Sequence, residues 1–212
     1  MKFQVLSSAI LATLLLASCG GGAETETTAE TTSGTTNTAP VSYSVSSGDS
    51  KLMWTGTMLG VKSHNGLVTV TDGAFTLEGG KLTEGKFAVD LKTIAPLDTN
   101  YAPDGSEQGT KSMLIGHLQS ADFFAVDSFP MAKFVLTGVE GTTATGDLTV
   151  RGKTNSEQVT DLTITESEGK ATATGKLVFD RQKYGVAWAS PMKDMVLSDD
   201  IELEFEITGM AR

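Results

Sequence analysis

The most constraining feature of the chain is its last strand-length segment. Ile201-Glu202-Leu203-Glu204-Phe205-Glu206-Ile207-Thr208 alternates apolar and polar residues without a break. Successive side chains of an extended strand point to opposite faces, so this pattern makes a half-buried strand with Ile201, Leu203, Phe205 and Ile207 inside. The glutamates read as its solvated face rather than as a cation site. The same period of two recurs upstream. Phe87, Val89 and Leu91 share a face, as do Phe134 with Leu136, Leu148 with Val150, and Leu177 with Phe179. Phe75 and Leu77 alternate after Gly73, which reads as a bulge or bend. Residues 159–165 are rich in β-branched side chains, and residues 41–45 and 52–58 are further candidates, for about eight strands. Turn chemistry separates them at Gly79-Gly80, Glu140-Gly141, Arg151-Gly152 and Glu168-Gly169. Short strands at this spacing predict an all-β barrel or sandwich. Residues 110–124 break the pattern: Met113, Leu114 and Leu118 fit a short helix, followed by a turn bearing Phe123 and Phe124. The polar stretch 99–109 before it reads as a mobile loop.

An eight-stranded barrel has an interior that side chains just fill or that holds one small ligand. In residues 171–177, the face shared with Leu177 and Phe179 carries Ala171, Ala173 and Gly175. Small inner residues leave volume unless large neighbours fill it. Two functions of different class follow: binding of an apolar ligand inside, or an interaction module whose barrel is filled with side chains and whose outer surface binds a partner protein. Composition removes other classes. The 212 residues include 16 Lys and Arg against 26 Asp and Glu, a net charge of −10. That field repels phosphate backbones, so nucleic-acid binding loses its usual electrostatic source. One cysteine makes neither an internal disulfide nor a thiolate zinc cluster.

The position of that cysteine suggests its role. Met1-Lys2 supplies a positive end, residues 3–16 are mostly apolar, and Leu16-Ala17-Ser18-Cys19-Gly20 is similar to a bacterial lipobox. Residues 1–18 therefore read as a lipoprotein signal peptide, with Cys19 as the lipid attachment site. Residues 19–40 contain no large apolar side chain and read as a flexible Thr/Gly/Glu-rich tether. Fully extended, the tether reaches about 70 Å at ~3.3–3.6 Å per residue. The expected location is the bacterial cell envelope, lipid-anchored with the outer membrane favoured, and with the domain of residues 41–212 in the periplasm.

Several stretches of that domain carry a resemblance. GHLQSADFFAVDSFPMAKF (116–134), HNGLVTVTDGAF (64–75), GKFAVDLKTI (85–94), GDLTVRGKT (146–154), FDRQKYGV (179–186), the early Trp54 and the closing strand occur in order. Together they resemble the YceI-like family of lipocalin-like polyisoprenoid-binding proteins, across almost all of residues 41–212. The resemblance implies an eight-stranded antiparallel lipocalin-like barrel with a short helix. It also implies an apolar tunnel for an isoprenoid chain, such as a quinone side chain or a polyprenyl lipid, without metal or catalytic machinery. Two departures stand out: residues 98–111 form a longer, more Gly-rich loop, and the lipobox and tether occur in only part of the family.

The candidate ligand-binding residues are Trp54, His64, Phe75, Phe87, Phe123, Phe124, Phe134, Ala173, Gly175, Phe179, Arg181 and Tyr184. Apolar walls with few polar anchors are what a lipid site needs. His64 and His117 are the only histidines, and the sequence has no His-x-x-x-His pair, Gly-x-Ser-x-Gly elbow or phosphate loop. No catalytic residue and no metal ligand is assigned, and the chain is read as non-enzymatic. His64-Asn65-Gly66 reads as a turn at a barrel end, with a head-group contact as the other role for His64. His117 reads as a cap or hydrogen-bonding group of the helix-to-turn segment. Arg181 is either a structural residue bonding loop carbonyls or Asp180, or a head-group contact at the tunnel mouth. The expected partners are an apolar lipid and, through the anchor, a membrane; a homodimer is left open. No cofactor is expected beyond an isoprenoid- or quinone-type ligand.

Overall fold

The computed structural model describes residues 39–191 and 195–212. The signal peptide, Cys19 and almost all of the tether lie outside the described residues.

Among the described residues, nine strands and one α-helix follow in chain order: β1 (Val41–Val45), β2 (Lys51–Leu59), β3 (Lys62–Glu78), β4 (Lys81–Pro96), α1 (Lys111–Gln119), β5 (Met131–Glu140), β6 (Thr143–Val150), β7 (Lys153–Ser167), β8 (Lys170–Asp180) and β9 (Val196–Ala211). Every pairing is antiparallel, and the sheet closes because β3 pairs with β4 as well as with β2. β1 and β2 occupy a single stave between β3 and β9: β1 faces residues 74–77 of β3, β2 faces residues 62–67. The nine segments thus form a closed eight-stranded antiparallel barrel with one short helix. The break in that stave is a 3-10 turn over Ser47–Asp49. Its lost ladder bonds are replaced locally, since Ser46 N donates to Thr208 O (2.8 Å) and Thr208 N donates to Ser50 Oγ (3.0 Å). Buried backbone groups require such substitutes wherever a strand is interrupted.

The alternating segments build the strands as expected. Ile201 and Ile207 of β9 are buried while Glu202, Glu204 and Glu206 are exposed. The turn residues take the left-handed conformation that tight hairpins require, with φ of 57° and 76° at Gly79 and Gly80, and 51° and 76° at Glu168 and Gly169. The helix begins where Thr110 Oγ1 accepts the Met113 backbone N–H (3.2 Å).

Two local expectations are corrected. His64-Asn65-Gly66 is not a turn; all three residues lie within β3, and the chain reverses at Gly60-Val61. Glycine stands at 66 for a packing reason: a Cβ there would lie 2.4 Å from Ala95 O and 2.7 Å from Trp54 Cζ2. The bulge expected at Gly73 sits slightly earlier, between Val70 and Asp72, and Gly73 pairs regularly with Phe87.

The two barrel ends differ. One carries the tight turns at 79–80, 141–142 and 168–169, with the start of β1 and the end of β9. It is plugged by Tyr43 (3% exposed) stacked on Phe75 (1%), ring centroids 5.2 Å apart, with Leu77 beside them. Tyr43 donates its hydroxyl to Glu166 Oε2 at 2.8 Å, and burial together with that carboxylate pushes the phenol pKa up. The other end carries α1, the loop after β4 and the segment between β8 and β9.

Candidate functional site

Inside the barrel, above the Tyr43–Phe75 plug, lies a cavity of about 300 Å³. Its floor follows from register. Ala171 pairs with Gly209 and is fully buried outside the cavity wall, whereas Ala173 pairs with Ile207 and both line the wall. Inward positions of all eight staves contribute, among them Trp54 and Met58 of β2, Val68 and Val70 of β3, Phe87 and Leu91 of β4, Phe134 of β5, Leu148 of β6, Leu162 of β7, Phe179 of β8 and Leu203 of β9. Leu114, His117 and Leu118 of α1 close over the top with Phe123, Phe124 and Trp188. Such a wall excludes charge and favours long apolar molecules.

Of the sequence-selected residues, Trp54, His64, Phe87, Phe123, Phe124, Phe134, Ala173 and Phe179 line this cavity. Phe75, Gly175, Arg181 and Tyr184 lie outside its wall, each for a physical reason. Phe75 is part of the plug. At Gly175 a Cβ would lie 2.7 Å from Phe205 Cζ and 2.9 Å from Val159 Cγ1, so neighbouring side chains use the space that glycine leaves. Tyr184 is fully buried behind Phe179, edge-on at 5.3 Å, and donates to Glu157 Oε1 at 3.0 Å. Burial and that carboxylate push its phenol pKa well up.

Arg181 is 2% exposed and works as a staple. Its Nη1 donates to the carbonyls of Val186 (2.6 Å) and Trp188 (2.9 Å), its Nε to Ser198 O (2.9 Å), and its Nη2 to Asp199 Oδ1 (3.0 Å). Its ion-pair partner is therefore Asp199; Asp180 instead accepts from Gln182 N at the following turn. The guanidinium thus fixes Trp188, whose ring meets His117 edge-on at 4.6 Å.

The ring of His117 does not cap the helix. Its backbone carbonyl does, accepting from Ser120 N (3.1 Å) and Ser120 Oγ (2.8 Å), while the imidazole packs on Phe123 and Trp188 in the cavity wall. Burial pushes the His117 pKa down, only partly opposed by the charge of Asp122. Nε2 of His117 and Nε1 of Trp54 are buried without a protein hydrogen-bond partner.

At the α1 end, His64 Nδ1 lies 2.8 Å from Asp98 Oδ2, and Tyr101 OH lies 3.2 Å from the same nitrogen. The Tyr101 ring stacks on the imidazole at 5.5 Å. Burial acts to raise the Asp98 pKa, but bonds from Tyr101 and His64, the imidazole charge and the Asn65 N–H outweigh it and hold the carboxyl below its usual value. The start of the loop read as mobile is therefore tied to β3. Asp98, Tyr101 and Trp188 were not among the sequence-selected residues; they sit in loops, and no periodicity marks a loop residue that folds back onto a strand. Among the described residues, no group of three His, Cys, Asp or Glu side chains could hold a metal ion, and no helix is long and apolar enough to cross a membrane.

Known proteins share this architecture. The structure of BcnA from Burkholderia cenocepacia superposes with a TM-score of 0.59 at 18% identity, covering 77% of this chain and 98% of that one. A polyisoprenoid binding domain from Saccharophagus degradans, implicated in plant cell wall breakdown, gives a TM-score of 0.50 at 11% identity, over 80% and 98% of the two chains. At those identities the likeness concerns the fold. By sequence, a UPF0312 protein of Pseudomonas putida strain GB-1 is 37% identical over 122 residues, 55% of this chain and 57% of the relative. A UPF0312 protein of Pseudomonas syringae pv. syringae strain B728a is 29% identical over 160 residues, 70% of this chain and 75% of the relative. The chain thus spans little more than half the length of the first of these relatives. Residues 43–209, the whole barrel but for its outermost strand ends, match the model of the YceI-like domain. The chain belongs to the YceI-like family.

Proposed function

We propose that the barrel binds one isoprenoid, quinone-type or similarly long apolar lipid and holds or shuttles it in the periplasm without transforming it. Cys19 carries the lipid anchor, and residues 19–40 give the domain reach from the membrane. The observation that carries this reading is the apolar cavity of about 300 Å³ enclosed by all eight staves. Its volume falls at the lower end of the range of small-molecule sites. Each methylene buried there contributes roughly 0.8 kcal/mol, so chain length sets affinity. Unfilled interior volume is what a side-chain-filled interaction module lacks, so the cavity favours binding inside over binding at the outer surface. The polyisoprenoid binding named for the Saccharophagus degradans domain agrees in ligand chemistry.

The test is native mass spectrometry of the full chain purified from its host in gentle detergent, followed by organic extraction. A stoichiometric polyprenyl or quinone mass supports the proposal and names the cargo. An apo mass, together with failure to take up added quinones, overturns it in favour of the interaction module. An acylated mature N-terminus at Cys19 in the same spectrum supports the anchor; an unprocessed Met1 or an unmodified Cys19 refutes it.

A further inference from the structure

The four most exposed large apolar side chains among the described residues, Val196 (56%), Leu97 (53%), Leu59 (52%) and Val61 (50%), all lie at the α1 end of the barrel. Three of them share one projection. The tip of the β2–β3 hairpin is Gly60-Val61, closed where Val61 N donates to Met58 O (3.0 Å). Leu59 stands opposite Val196 at the start of β9, and the next pair inward, Met58 and Leu197, lines the cavity. The wet apolar tip therefore adjoins the cavity wall. Single exposed hydrophobes are ordinary, whereas a cluster of them marks an interaction site.

Size and charge specify what the tip meets. Three half-exposed side chains present less than half of the roughly 800 Å² that each partner buries in a stable protein interface. That is too little for a second copy or a globular partner. It suits a lipid surface, where a few aliphatic side chains in the head-group–acyl boundary add to an anchor already present. Residues 57–63 carry one charge, Lys62, so insertion buries no carboxylate. The plugged end is unsuited, because its turns expose Glu78, Glu140, Glu166 and Glu168 against Lys81 and Lys170, an excess that an anionic leaflet repels. The tether permits the orientation. The chain enters the barrel at the plugged end, where Val41 pairs with Leu77. β3 spans 17 residues between that end and the hairpin, ~56 Å along the strand and less along the barrel axis. Residues 19–40 reach about 70 Å when extended, enough for a barrel anchored at Cys19 to turn its mouth to the same membrane.

We propose that Leu59, Val61 and Val196 form a membrane-docking wedge that seats the barrel mouth on the lipid surface to which the chain is anchored. Cargo then passes between bilayer and cavity along the edge where Leu59 and Val196 meet Met58 and Leu197. The proposal rests on the anchor and carrier readings above and adds the face that meets the membrane.

The full acylated chain in vesicles of phosphatidylethanolamine and phosphatidylglycerol tests it. Cys19 is the only cysteine, and acylation blocks its sulfur, so one introduced cysteine takes a nitrobenzoxadiazole label alone. Ser63→Cys places the label beside the wedge and Glu140→Cys at the plugged end; both positions are exposed. A doxyl group on the lipid acyl chains quenches a label that enters the boundary. The label at 63 is expected to be quenched several-fold more than the label at 140, a comparison that leaves the wedge intact. Leu59→Ser, Val61→Ser and Val196→Ser together should lower the docked-to-free ratio at least about tenfold and remove the difference. Equal quenching at both ends, or none at 63, in a chain that floats with the vesicles overturns the wedge and leaves the anchor standing. Labels at 63 that quench one another between chains, without doxyl quenching, place a second copy on the tip and also overturn the wedge. A chain that does not float overturns the anchor reading and the docking together. Cargo does not enter the readout, so the carrier reading keeps its separate test.

Discussion

Replacing Arg181 with Met separates the two roles that sequence allowed for this residue. The side chain is almost completely buried and spreads its donors over the carbonyls of Val186, Trp188 and Ser198 and the carboxylate of Asp199. Methionine matches much of the stem but leaves those acceptors without their donor. Each orphaned buried acceptor costs about 1–3 kcal/mol, less where water enters as the loop relaxes. Ser198 and Asp199 lie towards solvent, so the Val186 and Trp188 carbonyls carry most of the loss, which we place at about 3–5 kcal/mol. Marginal domains hold only about 5–15 kcal/mol in total, so the loss is large. At ~2–4 °C per kcal/mol for a domain of this size, the midpoint of thermal unfolding should fall by about 6–20 °C. Differential scanning calorimetry measures it. Arg181→Lys should fall nearly as far, because an ammonium cannot reproduce the planar fork. A drop under about 2 °C accompanied by loss of bound lipid would refute the staple and make Arg181 a head-group contact.

Four further outcomes follow from the site. Ala173→Leu should reduce lipid occupancy several-fold in native mass spectrometry with little change in urea stability. Gly175→Ala should do the reverse, costing about 1–3 kcal/mol by overpacking against Phe205 and Val159 while occupancy holds. His117 has a folded pKa below its unfolded value, so the unfolded chain binds the proton first and stability should decline as pH drops below about 6.5. In His117→Phe the component of that decline due to His117 should vanish, which urea titrations at several pH values would detect. The folded pKa of Asp98 is depressed, so it contributes stability above its unfolded value, about 3.9, which is lost as pH falls through the folded value. The stability gap between wild type and Asp98→Asn should therefore be present at neutral pH and close in strong acid; a gap that does not change with pH would remove the ion pair from the account.

Most of the barrel was legible because its signals are local. Strict alternation in residues 201–208 and glycines at the hairpin tips each act within a few residues, where backbone geometry leaves few choices. Local signals also misled. Asn65-Gly66 has turn chemistry, yet the pair lies inside a 17-residue strand, with glycine at 66 because Trp54, on the neighbouring strand, occupies the space above it. The division of one stave into β1 and β2 was equally hidden: both segments alternate, and only pairing with β3 and β9 shows that they continue one another.

The cavity was harder to read because its depth depends on what faces each small residue across the sheet. Ala171, Ala173 and Gly175 share one face of β8 and look equivalent in sequence. Their β9 partners are Gly209, Ile207 and Phe205. Beside Ala171 the Tyr43–Phe75 plug occupies the interior, and beside Gly175 the Phe205 ring covers the gap. Only at Ala173 does a small residue become free wall. The smallest of the three therefore exposes no cavity, and only one of the two identical alanines does. Interior volume in a barrel is a property of register, which sets every pair of neighbours at once, and no single strand contains that information.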